Sequence, residues 1–450
     1  MFIDFIMDIF SKNNERDAII WKNKTYNYKW LINTISKYNQ TLKLWGINKG
    51  NVVALTGDFS PNIIAVLFSL IDNACIIVPF SDNSEDDNLN KYNISQVEHL
   101  LTCDDNDKII AKRISLKSDN KYYKVLRKKA HPGLVLFTSG SSGEPKAAVH
   151  DLLKLLEKFK TRRKTLRALN FLMFDHWGGL NTMFHILSNG GTIITTKDRS
   201  PINICKLIEV YKIELLPTSP TFLNLLLLSR AYEYNNLECL KIISYGTEPM
   251  PKNTLRRLKF VFPKVKLLQT YGLIELGVMK SISENNNSVW IKIGGDGYST
   301  RIIDGILQIK AKSAMMGYLN AENPFTEDGW FITGDEVLQK GDYIKILGRK
   351  SEIINVGGEK VYPSEVENVV LEMENVAEVI VYGEKNPIIG NIVCARVRLQ
   401  NKRDNKIFIN ELKKYCLSKL QNYKIPVKVT IDNNQQYNTR FKKLRKTYSK

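Results

Sequence analysis

Histidine is scarce in this chain and cysteine is unpaired. Five histidines and six cysteines are scattered over 450 residues. No Cys-x-x-Cys pair occurs and no histidine stands at ligand spacing from a cysteine, which excludes a zinc ribbon and offers no disulfide framework. Long apolar runs are also absent; none approaches the roughly 20 residues a membrane-spanning helix needs. The opening Met1-Phe2-Ile3-Asp4-Phe5-Ile6-Met7-Asp8 is apolar, but its aspartates and lack of a basic start are unlike a signal peptide. Reduced thiols, no membrane span and a cytoplasmic location are the expectation. Acidic residues are in deficit, 46 against 65 Lys and Arg, for a net charge of +19. The basic residues are dispersed among Asn and Ile, so the excess does not describe a specific nucleic-acid binder. It suits polyanionic small molecules or an acidic protein surface. Two basic clusters stand out: Lys158 through Lys164, read as the solvated face of a helix, and Arg440 through Lys446.

What is present is enough chain for one large domain and a smaller one. Helical and short apolar stretches alternate along the first third. A helical stretch opens at Lys24-Thr25-Tyr26-Asn27 and ends near Trp45-Gly46; Asn51 to Leu55 reads as a buried strand, Asn62 to Ile71 as a helix and Ile76 to Pro79 as a strand. The rhythm recurs at Thr192–Thr195, Ile213–Leu216 and Ile242–Ser244, which predicts mixed, mostly parallel sheets with helices. Ser81 to Asn90 and Asp104 to Asp119 are polar and read as exposed connections. From Gly341 onward short strands take over, and residues 352–450 read as strand, helix, strand, strand, helix, strand: a small α+β domain. The expected division is 1–347, a hinge at 348–351, and 352–450.

Five segments carry chemistry. The first is Leu136-Phe137-Thr138-Ser139-Gly140-Ser141-Ser142-Gly143-Glu144-Pro145-Lys146, an apolar strand running into hydroxyls and glycines that end in one lysine. Such a loop can wrap a polyphosphate with backbone N–H groups and hydroxyls, and Lys146 adds a point charge. Pro145 before the lysine, with no Ser or Thr after it, rules out the P-loop spacing. The others are Gln269-Thr270-Tyr271-Gly272-Leu273-Ile274-Glu275, Thr333-Gly334-Asp335 with Gly348-Arg349 after it, Val356-Gly357-Gly358-Glu359-Lys360, and Asn438-Thr439-Arg440-Phe441-Lys442-Lys443-Leu444-Arg445.

In this order, these segments resemble the adenylate-forming superfamily of acyl-CoA synthetases, adenylation domains and luciferases, over nearly the whole chain. The resemblance implies that Ser139, Gly140, Ser141, Ser142, Gly143 and Lys146 cradle the phosphates of ATP, and that Thr138, at the head of the same loop, belongs to the catalytic set with Glu275, His176 and Lys442. Gly246, Thr270, Tyr271 and Gly272 would frame the adenine, and Glu275 would reach the ATP-bound Mg²⁺. Asp335 and Arg349 would take the ribose, and Lys442, or Lys443 in the other register, would be the lysine of adenylation. Phe174-Asp175-His176-Trp177-Gly178 resembles a segment that places His176 near the substrate carboxylate. Gly357-Gly358 resembles the loop that enters for thioester formation, in a form closer to acyl-CoA synthetases than to peptide-synthetase adenylation domains. Ile274, Ser351 and Phe441 depart from the family pattern, at a hydroxyl, a pivot residue and a glycine respectively. The implied activity is ATP-dependent activation of a small carboxylic acid and its transfer to a thiol. Coenzyme A is the expected acceptor, with the phosphopantetheine of an acyl carrier protein, and a nucleotide-binding homologue without catalysis, as the alternatives.

Overall fold

A computed structural model describes residues 2–81, 85–114, 117–138, 144–285 and 288–444. Two seven-stranded sheets form its first layers. In one, the strands Lys266–Gln269, Ile242–Tyr245, Leu215–Thr218, Arg167–Leu169, Thr192–Thr195 and Asp17–Trp21 run parallel, and Lys24–Asn27 closes the edge antiparallel. In the other, Val52–Thr56 and Ile76–Phe80 lie at the centre, every residue buried. Continuous apolar runs of this kind suit parallel strands covered on both faces. The helix Pro61–Asp72 is buried along almost its whole length. Ser60 caps it by accepting from the Ile63 N–H, and Pro61 fixes its first turn.

The third seven-stranded sheet is antiparallel throughout, which the βαβ rhythm did not forecast. Its edge strands are Tyr271–Leu273 and Tyr298–Ile303, with the pair Phe331–Lys340 and Tyr343–Arg349 inside it. A separate apolar core then gathers residues between Ile354 and Ile431 around the long hairpin Val376–Asn386 and Gly390–Leu399. Its helix Pro363–Val370 starts on a proline, whose fixed φ suits the first helical position. Asn224 Nδ2 donates to the Ala377 carbonyl at 2.9 Å and Asn253 Nδ2 to that of Leu371 at 3.1 Å, tying this small unit to the large one.

Several expectations are corrected. Lys24–Asn27 is a strand and the helix begins only at Tyr28, where the Asn27 side chain accepts from the Trp30 N–H. A helix, Glu85–Ile94, begins inside the first stretch read as a connection and runs beyond it, and a strand, Ile109–Arg113, lies inside the second. Lys158 is not on a solvated helix face: it sits in a short 3₁₀ turn and its ammonium donates to the Val278 carbonyl at 2.9 Å. All six cysteines are free thiols, and among the described residues no helix is long and apolar enough to cross a membrane.

Candidate active site

Gly133–Thr138 and Lys146–Asp151 are the two arms of an antiparallel hairpin in which Thr138 pairs with Lys146. The phosphate-loop candidates Ser139, Gly140, Ser141, Ser142 and Gly143 lie between them, outside the described residues. Asn320 pins the returning arm, accepting from the Ala147 N–H at 3.0 Å and donating to the Pro145 carbonyl at 2.9 Å. The Lys146 ammonium stands 5.6 Å from the ring centre of Tyr318, whose hydroxyl donates to Glu275 Oε1 at 2.6 Å. Burial, then the Glu275 carboxylate, raise the Tyr318 phenol far above its usual value, so it stays a donor. Among the described residues no three acids, histidines or cysteines gather to hold a metal ion unaided. Glu275 alone fits a Mg²⁺ that brings its other oxygens from phosphate and water.

The second cluster is built on the antiparallel register that sets Asp335 opposite Arg349. Arg349 Nε lies 3.2 Å from Asp335 Oδ1, and the Tyr271 hydroxyl donates to Oδ2 at 2.5 Å. Burial raises the Asp335 carboxyl, while Arg349 and the Tyr271 hydroxyl act to keep it charged. The Asp335 N–H donates to Thr333 Oγ1 at 3.0 Å, and that hydroxyl donates to the Leu307 carbonyl at 2.7 Å. A carboxylate offers about four lone pairs, so two remain after Tyr271 and Arg349 are served. Gly246 is required by close approach: a Cβ there would lie 2.6 Å from Thr270 Oγ1. Thr270 Oγ1 donates to the Tyr245 carbonyl, so it does not supply the hydroxyl missing at Ile274, whose side chain packs among apolar neighbours instead.

The third cluster closes a small, partly open cleft lined by Phe171, Met173, His176, Thr247, Arg440 and Lys442, among others. His176 caps the helix Trp177–Leu187: its Nδ1 accepts from the Gly178 N–H at 3.0 Å, which leaves the proton of the neutral ring on Nε2. Burial, with Lys442 and Arg440 nearby, pushes its pKa well below the ordinary histidine value. Lys442 is lowered from 10.5 by burial and by Arg440, and it also feels Glu248, Arg349 and Glu275. Lys443 points elsewhere, into an ion pair with buried Glu367 at 2.7 Å. Phe441 holds the glycine position of the terminal motif with φ at +53°, a left-handed backbone that costs an L-residue about 1–2 kcal/mol.

Lys442, His176, Glu275, Tyr271, Asp335 and Arg349 therefore converge, whereas Gly357 and Gly358 do not. Both glycines have positive φ and form the exposed two-residue turn of the hairpin Ile354–Val361, with open space where a Cβ would be. Three polar contributors had no role assigned from the sequence: Tyr318, Glu248 and Arg440. Glu248 binds the Thr221 hydroxyl and the Lys443 N–H; Arg440 pairs with Asp175 at 2.5 Å. The Gly317-Tyr318-x-Asn320 run was the available signal for the first. The partners of the other two lie far away in sequence, which nothing local marks. Buried polar atoms without a protein partner occur at the carboxyl ends of the parallel strands, on Asn170, Thr218 and Gln269, the edge where open α/β sheets take ligands.

The fold is that of adenylate-forming enzymes. It superposes on an anthranilate–CoA ligase in complex with anthranoyl-AMP with a TM-score of 0.82 at 15% identity, covering 97% of this chain and 95% of that one. The match to the o-succinylbenzoate–CoA synthetase of Bacillus subtilis, in complex with its acyl-adenylate intermediate, has a TM-score of 0.78 at 21% identity, covering 98% and 96%. The chain belongs to the AMP-binding enzyme family: residues 9–295 match the AMP-binding enzyme model and 365–440 its C-terminal domain. Curated relatives include a 2-succinylbenzoate–CoA ligase of Listeria monocytogenes, 25% identical over 444 residues and covering 92% of each chain. An indoleacetate–CoA ligase of Aromatoleum aromaticum is 24% identical over 445 residues, covering 85% of each. Coenzyme A, not a carrier protein, is the acceptor named in these relatives.

Proposed function

We propose that this chain converts a small carboxylic acid to its acyl-CoA thioester through an acyl-adenylate bound at the three clusters. It is an enzyme, an AMP-forming acid–thiol ligase that uses ATP. In the first step a carboxylate oxygen attacks the α-phosphorus of ATP, and the bond to the bridging oxygen breaks as pyrophosphate departs. In the second the thiolate of coenzyme A attacks the acyl carbonyl, and AMP leaves with the electron pair. Neither step needs a covalent link to the protein.

The observation that carries this reading is the convergence of Lys442 on the cleft of His176, within electrostatic reach of Arg349 and Glu275. A buried ammonium there stabilises the charge that builds on the α-phosphoryl oxygens; one such contact is commonly worth about 3–4 kcal/mol. The Nε2–H of neutral His176 can donate to the substrate carboxylate. Tyr271, Asp335 and Arg349 orient the nucleoside, with the two remaining lone pairs of Asp335 accepting from the ribose hydroxyls. Glu275, held by Tyr318, takes part in binding Mg²⁺, which when bound neutralises charge on the phosphates. Lys146 and the Ser139–Gly143 loop hold the departing pyrophosphate. Domain rotation about Ser351 then withdraws Lys442 and admits the Gly357–Gly358 turn for the thiol step.

The test is incubation with ATP, Mg²⁺ and coenzyme A against aryl, aliphatic and hydroxy acids, with acyl-CoA read by mass. Thioester from at least one acid class, with one AMP per thioester, is expected. Thioester formed only on a phosphopantetheinylated carrier protein would replace the acceptor; no AMP formation with any acid would contradict the ligase reading.

A further inference from the structure

Phe441, immediately before Lys442, is held by both its ring and its backbone. The ring stacks on Tyr437, with centroids 5.4 Å apart and planes within 17°, and meets Phe171 and Phe222 of the large domain at 5.3 and 5.4 Å. Its carbonyl accepts from the Ser219 hydroxyl at 3.1 Å. That serine also caps the helix Pro220–Ser229, which carries Phe222. The flanking residues are anchored to the same domain, Arg440 on Asp175 and the Lys443 N–H on Glu248.

The backbone conformation makes this arrangement informative. At φ +53° a glycine would be at ease, and a phenylalanine is kept there only because its surroundings over-determine it. A glycine would leave the slot between Phe171 and Phe222 without its third ring. The structure thus trades backbone ease for an apolar anchor on the large domain, one residue from the ammonium in the cleft.

We propose that Phe441 is the positioning residue for Lys442: its ring latches the terminal segment in the adenylate-forming arrangement, and withdrawal of the ring gates the thiol step. The proposal rests on the ligase reading for its chemical consequences and on packing alone for the latch. A ring seated on the large domain favours one of two domain arrangements, so its removal shifts that equilibrium away from adenylation.

Phe441→Gly separates ring from backbone, because it relaxes the left-handed conformation while deleting the anchor. The expected result is single-turnover pyrophosphate release slowed about 10- to 100-fold. Transfer from supplied acyl-AMP to coenzyme A should be unchanged or a few-fold faster, and Phe441→Tyr should restore adenylation. Hydrogen exchange, which needs no substrate, should be at least tenfold faster at residues 437–444 in Phe441→Gly, with the Val376–Leu399 hairpin unchanged. Adenylation at the wild-type rate in Phe441→Gly, a parallel loss of both half-reactions, or unchanged exchange at 437–444 would each overturn the latch. Absence of pyrophosphate release from the wild type would instead reject the ligase reading, and the exchange measurement would still decide the latch.

Discussion

The ammonium of Lys443 lies 2.7 Å from a carboxylate oxygen of Glu367, a side chain only 3% exposed. The other Glu367 oxygen accepts from the Val381 N–H at 3.1 Å. This pair occupies Lys443 inside the small domain, while its neighbour Lys442 lines the cleft. Lys442→Ala should therefore lower the adenylation rate about 10²- to 10³-fold with little change in thermal midpoint. Lys443→Ala should do the reverse, costing about 3–5 kcal/mol of stability by stranding a buried carboxylate while adenylation falls far less. Single-turnover pyrophosphate release and thermal unfolding on both variants check this.

Asp335 is expected to read the ribose with the lone pairs that Tyr271 and Arg349 leave free. Hydrogen bonds to a charged group are worth about 1.5–3 kcal/mol each, so wild type should discriminate roughly 10-fold or more against 2′-deoxy-ATP in kcat/KM. Asp335→Asn should lose most of that discrimination along with its affinity for ATP. Equal discrimination in the two proteins would place the ribose elsewhere.

The pH dependence of kcat/KM for ATP reports ionisations of the free enzyme. In the proposed mechanism Lys442 acts as a cation, so activity should fall as pH rises through a pKa that burial and Arg440 hold below 10.5. Arg440→Ala removes a positive neighbour, which favours the ammonium. Its alkaline limb should move to higher pH. A shift to lower pH would contradict the placement of Lys442.

Buried His150 gives the fold an acid sensitivity. Its pKa is pushed down to about 4 by burial, whereas in the unfolded chain it takes up a proton near 6.5. A depressed base binds fewer protons when folded, so stability is lost as pH falls from about 6.5 toward 4. Between pH 7 and 5 the loss from this residue is about 1–2 kcal/mol. His150→Gln should lessen the drop in urea midpoint over that interval.

Sequence and structure diverge for identifiable reasons. Val52–Thr56 and Ile76–Phe80 were legible because strands buried on both faces must be apolar throughout. Lys24–Asn27 was not, since an exposed edge strand carries no apolar run and Asn27 doubles as the cap of the helix that follows. The helix Glu85–Ile94 was hidden by its polar composition. The third sheet is antiparallel and drawn from one run, residues 271–349, mostly by pairing of sequence neighbours; several of its strands alternate more and less buried positions, so no continuous apolar run marks them. In the site, residues tied to glycine turns or to one motif were legible. Tyr318 reaches Glu275 from 43 positions away, and Arg440 meets Asp175 across 265. Phe441 is the sharpest case: the sequence marks a departure at a glycine position, and only the three surrounding rings give it a purpose.

Ser351 lies in the exposed turn between Arg349, the end of the third sheet, and Ile354, the start of the small domain's first strand. Ser351→Pro should freeze one domain arrangement, sparing one half-reaction and blocking the other. Equal loss of both would move the pivot elsewhere.

The most direct test of the account is acid-dependent exchange of labelled pyrophosphate into ATP, measured without coenzyme A on the wild type and on Lys442→Ala. A reversible adenylate formed before any thiol binds predicts exchange in the wild type with the acid it ligates, and near-complete loss in the variant. No exchange with an acid that the wild type does convert to thioester once coenzyme A is added would contradict the two-step mechanism.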